Sequence, residues 1–124
     1  MSSHLFLYVC LSALLATGCE RPQDPDDLQR VLGAWTTANE PYTDRHFEIT
    51  PEGQLHIGKG TAGIDVCQIE SMDIEERSGF IFEYDLTYLD PQGVESSFVF
   101  ALHEKEQVIR MLNQRGVLWR RTTP

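Results

Sequence analysis

Apolar and polar residues alternate along most of the chain after residue 33, which is the pattern of half-buried β-strands. The clearest alternation runs over 80–89, where aromatic and aliphatic side chains occupy every second position. Similar segments flank residues 51–53 and predict a hairpin with a glycine-containing loop. In this hairpin the apolar side chains share one face: Phe47, Ile49, Leu55 and Ile57.

Turn residues separate further alternating segments towards the end of the chain. The predicted strands are 34–37, 46–50, 54–58, 64–75, 80–89, 94–103, 108–112 and 117–121. Short connections between so many strands are typical of hairpins that follow one another in a sheet. Because closure removes the free edges of such a sheet, we predict an all-β fold: a small antiparallel meander of about eight strands, closed or nearly closed into a barrel.

The residues before the first strand have the pattern of a short helix. Asp24 is a suitable cap, Pro25 suits the first helical position, and two further acids follow near the positive end of the helix dipole. Gly33 is a residue type that ends helices. We therefore predict a helix over 25–32 in front of the barrel.

The extreme N-terminus is apolar over residues 5–16, a run of twelve residues. A membrane-spanning helix needs about 20 residues, so this run is too short to be one. A short apolar run that ends in small residues is typical of the hydrophobic region of a secretory signal peptide. We therefore predict that residues 1–18 are a cleaved signal peptide, and that residues 26–124 form a single exported domain.

The end of the apolar run, Leu15-Ala16-Thr17-Gly18-Cys19, resembles the lipobox of bacterial lipoproteins. The resemblance implies that Cys19 is acylated, becomes the new N-terminus and anchors the protein to a membrane of the bacterial cell envelope, inner or outer. Residues 19–25 would then be a polar tether, of which the six residues after Cys19 reach about 20 Å when extended. The small residues at positions 16 and 18 also suit ordinary signal peptidase, which would leave Cys19 available to pair with Cys67.

The start of the predicted barrel resembles the Gly-x-Trp opening of lipocalins, because Gly33-Ala34-Trp35 follows a short helix on the first strand. In lipocalins this Trp closes one end of the barrel against an arginine near the end of the last strand. The resemblance implies that Trp35 packs against Arg120 or Arg121, and we assign Arg120 to this closing role. A shared fold does not imply a shared function.

The charge of the chain excludes some partners. It has 19 acidic and 10 basic residues, a formal net charge of −9, all of it after residue 18. Such a balance argues against nucleic acid as a partner and against electrostatic attachment to anionic lipid. We expect a monomer whose contact with the membrane is the lipid anchor.

Patterns typical of cofactor, metal and nucleophile sites have weak support in this sequence. Residues 58–63 spell a dinucleotide-binding glycine pattern, but a strand follows them where a helix would be needed, so we predict no cofactor. His46, Glu48 and His56 fall on one face of the first hairpin and form a candidate zinc site, although alternation predicts that they lie on the outer face. We predict no metal.

No catalytic group is predicted either. Cys67 has acidic neighbours, so we expect a buried thiol and not a nucleophile. None of the serines after residue 18 lies in a nucleophile-elbow context. We therefore do not expect an enzyme.

The aromatic residues of two neighbouring predicted strands share one face, which also includes Phe80 and Phe82. They either fill the core or line a cavity for a small apolar ligand. In the second case we expect the ligand to contact Tyr84, Tyr88, Phe98 and Phe100. The alternative function is a protein-interaction module, such as an inhibitor or assembly accessory that binds a basic envelope protein. In size and acidity the chain is similar to small periplasmic lysozyme-inhibitor lipoproteins.

Overall fold

Strand pairing follows chain order throughout the computed structural model, which describes residues 25–122. The elements are α1 (Pro25–Gln29), β1 (Gly33–Thr36), β2 (Arg45–Ile49), β3 (Gln54–Lys59), β4 (Ile64–Ser78), β5 (Ile81–Leu89), β6 (Glu95–His103), β7 (Val108–Met111) and β8 (Trp119–Arg121). Each strand pairs antiparallel with the next, and β1 pairs with β8. The predicted antiparallel meander is therefore confirmed as a closed barrel of eight strands.

The inner face of the barrel holds the core. Alternate residues of each strand point inwards, as the period of two requires. The largest fully buried side chains are Trp35, Tyr84, Phe100, Ile49, Leu55, Leu86, Leu102, Ile109, Val31 and Cys67. Burial of these side chains is the main favourable contribution to the stability of the fold.

The helix α1 covers one end of the barrel, which we call the closed end. The hydroxyl of Tyr84 donates a hydrogen bond to the backbone oxygen of Asp27 at 2.7 Å. The indole of Trp35 donates to the backbone oxygen of Val31 at 3.1 Å. Each bond links a buried barrel side chain to a backbone oxygen of the helix or of the turn that follows it.

The predicted helix over 25–32 begins at the predicted residue but was too long, because α1 ends at Gln29. The chain turns after that residue and places Val31, which has no exposed surface, under the end of the barrel. Gly33 then opens β1 with φ +115°, a conformation that favours glycine. The predicted cap Asp24 lies outside the described residues.

The strand β4 is longer than predicted and extends to Ser78. The acidic segment over 73–76 therefore lies within the strand. The tip comes later, so that Phe80 precedes β5 and is 58% exposed. The expectation that Phe80 belongs to the inward aromatic face was wrong, because the turn takes it out of the alternating pattern.

The closing arginine is Arg121. Its guanidinium carbon lies 4.6 Å from the centroid of the Trp35 ring, and the two residues are direct partners across β1 and β8. Arg120 was the wrong assignment, because alternation from the inward Trp119 turns Arg120 outwards, where it is exposed. Arg121 also donates to the backbone oxygen of Arg30 at 2.8 Å and to the side chain of Gln107.

Among the described residues, no helix is long and apolar enough to cross a membrane. The predicted signal peptide, the lipobox resemblance at Cys19 and most of the tether lie outside the described residues.

Candidate ligand-binding site

The end of the barrel opposite α1, which we call the open end, contains a cavity of about 370 Å³. Small-molecule sites in proteins have volumes upwards of about 300 Å³, so this cavity is at the small end of their range. Its lining residues are Arg45, His46, Phe47, Ile57, Gly58, Lys59, Ser97, Phe98, Val99, Met111, Leu112, Asn113, Gln114 and Trp119. They come from β2 and β3 on one side and from the region of β6, β7 and β8 on the other, so the cavity lies between opposite walls of the barrel.

Aromatic rings form the apolar part of the lining. Phe47 meets Phe98 edge-on at a centroid distance of 5.2 Å and lies 5.4 Å from the ring of Trp119. Below them, Phe98 contacts Phe100 at 5.5 Å, also edge-on. The rings therefore join the two walls and separate the cavity from the filled core.

Polar groups at the open end fix parts of this lining. The indole of Trp119 donates to the side-chain oxygen of Gln114 at 3.0 Å, which satisfies the polar atom of a side chain that is otherwise buried. The guanidinium of Arg45 lies over the ring of Tyr42 at 5.2 Å. Lys59 ends β3 at the rim of the cavity and is exposed.

One of the four predicted ligand-contacting residues, Phe98, lines this cavity. Tyr84 and Phe100 are fully buried and stack on each other, with centroids 5.0 Å apart and planes at 7°. Tyr84 is further occupied by its hydrogen bond to Asp27. Tyr88 packs against the core without lining the cavity.

Burial determines the protonation of the core tyrosine. It raises the pKa of Tyr84 above its ordinary value, since the phenolate would lose its water shell inside the barrel. Tyr84 is therefore a neutral donor to the closed end over the whole physiological pH range.

Several lining residues were not predicted as ligand contacts. Phe47 and Ile57 were predicted to share an apolar face of their hairpin, but not to contact a ligand, and Met111 and Trp119 lie on inward-facing positions of β7 and β8. Arg45 and Lys59 were not predicted as site residues. Their positions in the sequence indicate that they face the cavity, because each lies two residues from an inward apolar residue and therefore shares its face.

The candidate metal residues fall on the outer face of β2 and β3, in the predicted register. Glu48 is the direct partner of His56, and the Nδ1 atom of His56 lies 3.9 Å from Oε1 of Glu48. The ring of His46 instead covers Gly58, where a Cβ atom would lie 2.0 Å from it. Residues 25–122 contain no group of three or more His, Cys, Asp or Glu side chains placed to hold a metal ion.

Cys67 is buried in β4 with 1% of its surface exposed. Burial raises the pKa of its thiol, and the nearby charges of Asp65 and Asp90 raise it further. The thiol is therefore protonated at neutral pH, which is the opposite of what a nucleophile needs. Its predicted alternative partner, Cys19, lies outside the described residues.

The outer face of the β4–β5 hairpin is acidic. Asp73 lies directly opposite Asp85, and Glu75 directly opposite Glu83. Arg77 contacts both Glu75 and Glu83, at 3.1 and 3.0 Å. Beyond Ile69, β4 pairs only with β5 within the described chain, so its other edge is free there. Charged side chains protect a free strand edge from association with another strand.

The fold and the site together define a small antiparallel β-barrel with one end closed by a helix and an apolar cavity at the other. Comparisons of the chain with protein-family models, with curated proteins and with solved structures found no match.

Proposed function

We propose that this protein is a non-catalytic binding protein of the bacterial cell envelope, which takes a small apolar ligand into the cavity at the open end of its barrel. The single observation that carries the proposal is the cavity itself: about 370 Å³ of space bounded by Phe47, Phe98 and Trp119. A barrel of this size has enough inward side chains to fill its interior. A groove of about 500 Å³ also lies at the closed end, but its lining, which includes Arg30, Glu104 and Arg121, is mostly polar, so the open-end cavity is the one suited to an apolar ligand.

The chemistry of the lining supports binding over catalysis. Carboxylate and thiol groups are absent from the residues that line the cavity. The ring of His46 packs on Gly58 on the outer face of the sheet and therefore does not point into the cavity. Ser97 and Lys59 also line the cavity, but within residues 25–122 neither forms a side-chain hydrogen bond with a group that could act as its base, as an activated nucleophile requires. The lining instead offers apolar surface with a few polar groups at its edge.

The position of the closed end agrees with a lipid anchor at Cys19. The tether would join the domain at Pro25, the first residue of α1, and α1 covers the closed end. The mouth of the cavity would then lie at the opposite end of the barrel from the anchor. A ligand could enter while the protein remains attached to the membrane.

Binding of an uncharged fluorescent probe, N-phenyl-1-naphthylamine, tests this function. We expect its fluorescence to rise on addition of the purified protein and to saturate at one probe per chain. The variant Ile57→Trp fills the cavity from β3 and should abolish the rise. The matched control Ile64→Trp places the same ring on an exposed position outside the cavity and should leave binding unchanged. Equal binding by both variants, each with an unchanged melting temperature, would refute the proposal.

A second candidate function is recognition of a basic envelope protein. The acidic face formed by Asp73, Glu75, Glu83 and Asp85 favours it. Arg77 bridges Glu75 and Glu83, but Asp73 and Asp85 lie directly opposite each other without a salt bridge in residues 25–122, and like charges so placed destabilise a sheet. Replacing all four residues by their amides should then abolish capture of the partner and leave probe binding in the cavity intact. If capture survives this change, the acidic face is not the interface.

A further inference from the structure

Two cationic side chains lie directly opposite each other at the mouth of the open-end cavity. Arg45 and Lys59 are partners in the register of β2 and β3. Each is two residues away from an inward apolar side chain, Phe47 or Ile57, so both occupy the strand face that looks into the barrel. Like charges in this arrangement repel each other and destabilise the pair of strands.

Within residues 25–122, neither Arg45 nor Lys59 forms a salt bridge, and the exposed carboxylate of Asp44 lies beside Gly60 without pairing with either cation. The Nε atom of Arg45 is buried and has no hydrogen-bond partner there. The residues that line the cavity include no Asp or Glu, although the chain has 19 acidic against 10 basic residues.

The two arginines at the closed end of the barrel have hydrogen-bond partners in the described chain. Arg30 pairs with Asp27 at 2.7 Å and lies 3.7 Å from Glu104. Arg121 is held by the backbone oxygen of Arg30 and by Gln107, although its Nε atom, like that of Arg45, is buried without a partner in residues 25–122. What distinguishes the cavity mouth is that two cations lie directly opposite each other there.

We infer that the ligand of this cavity is an amphiphile with an anionic head group, which Arg45 and Lys59 bind at the mouth while its apolar body lies against Phe47 and Phe98. This inference rests on the proposed function and adds the class of ligand to it. A carboxylate, sulfate or phosphate would accept hydrogen bonds from both cations. It would also remove the repulsion between them and give the buried Nε of Arg45 an acceptor.

Three probes with the same twelve-carbon chain test the head group: dodecanoate, dodecanol and dodecyltrimethylammonium. Titration of the purified full chain at low salt, below the micelle concentration, should show dodecanoate binding at least about tenfold more tightly than dodecanol, as expected for added charge-assisted hydrogen bonds. The net charge of −9 by itself favours the cationic probe. Tighter binding of dodecanoate than of dodecyltrimethylammonium would therefore identify the local cations as the cause.

The double variant Arg45→Gln/Lys59→Gln removes both cations from the mouth. We expect it to bind dodecanoate about tenfold more weakly and dodecanol unchanged. The matched double control, Arg110→Gln/Arg120→Gln, removes the same charge from exposed positions on the outer face and should bind like the unmodified protein. Melting temperatures of both double variants establish that the barrel is folded.

The outcomes separate this inference from the function on which it rests. Equal affinity for dodecanoate and dodecanol, or equal weakening in the two double variants, would overturn the anionic head group and leave apolar binding intact. Failure of all three twelve-carbon probes and of the naphthylamine to bind would overturn the proposed function itself.

Discussion

The guanidinium carbon of Arg121 lies 4.6 Å from the centroid of the Trp35 ring, directly across the pair of strands that closes the barrel. The same side chain donates to the backbone oxygen of Arg30, just after α1. Its side chain also lies over Gly33, where a Cβ atom would lie 3.5 Å from Nε and 3.6 Å from Cδ of Arg121. One residue near the end of the chain therefore joins the first strand, the last strand and the turn after the helix.

The first prediction concerns this contact. Arg121→Ala removes the stacking on Trp35 and leaves the backbone oxygen of Arg30 without its donor, so we expect a loss of about 2 kcal/mol in the free energy of unfolding. Urea denaturation measures it. The matched control Arg120→Ala changes an exposed side chain of the same strand and should cost less than about 0.5 kcal/mol. Equal losses for the two variants would contradict a closing role specific to Arg121.

The second prediction concerns the hydroxyl of Tyr84, which donates to the backbone oxygen of Asp27 at 2.7 Å. Tyr84→Phe keeps the ring that stacks on Phe100 and removes this bond together with the interaction of the hydroxyl with Arg30. We expect a loss of about 1 kcal/mol at neutral pH, measured by urea denaturation. Tyr42→Phe is the control, and a loss as large in that variant would count against the assigned bond.

The same tyrosine gives a third, pH-dependent prediction. Burial raises the pKa of Tyr84 in the folded state above its unfolded value of about 10. Its contribution is fully present below the unfolded pKa and is lost as pH rises through the folded pKa. The unmodified protein should therefore lose stability above about pH 10, and Tyr84→Phe should lose less of it. Burial also raises the pKa of Tyr88, so some of the loss should remain. Identical pH profiles for the two proteins would refute this account.

The fourth prediction uses the contact between His46 and Gly58 on the outer face of the first hairpin. A Cβ atom at residue 58 would lie 2.0 Å from the imidazole, so Gly58→Ala must displace that ring. We expect a cost of about 1 kcal/mol, the scale of an unfavourable side-chain conformation. In a His46→Ala background the same change should cost nothing, because the obstructing ring is gone. If Gly58→Ala costs as much in the His46→Ala background, the ring of His46 is not what opposes the substitution.

The architecture could be predicted because it depends on a local signal. A strand period of two fixes which residues face inwards, and hairpins between neighbouring strands fix the order of pairing. The register of the first hairpin, with Glu48 opposite His56, followed from its loop length. The same alternation also distinguishes Arg121 from Arg120, since Trp119 faces inwards. The resemblance named both arginines, and only the alternation separates them.

The candidate site was harder to predict because alternation does not show how deep in the barrel a residue lies. Tyr84 and Phe98 both face inwards on neighbouring strands, yet one packs at the helix-covered end and the other at the cavity. The stagger between strands decides this difference, and bulges in β4 near Ile69 and Glu76 shift that stagger. Which end of the barrel α1 covers likewise depends on tertiary contacts, which the alternating pattern does not show.

The anchor is tested by the intact mass of membrane-extracted protein together with a count of free thiols. We expect the mass of a chain that begins at an acylated Cys19, with one free thiol from Cys67. A chain without added lipid and without a free thiol would indicate secretion and a bond between Cys19 and Cys67. That result would contradict the anchor and leave the barrel unaffected.

The most direct test of ligand binding in the cavity uses the methionine methyl groups, because residues 25–122 contain two methionines in different places. Met111 lines the cavity, whereas Met72 packs against the core elsewhere. In ¹³C-methyl NMR with N-phenyl-1-naphthylamine, the Met111 signal should shift and saturate at one probe per chain, while the Met72 signal stays in place. Binding of the probe with no shift at Met111, or with equal shifts at both methyl groups, would contradict a ligand site at the open end of the barrel.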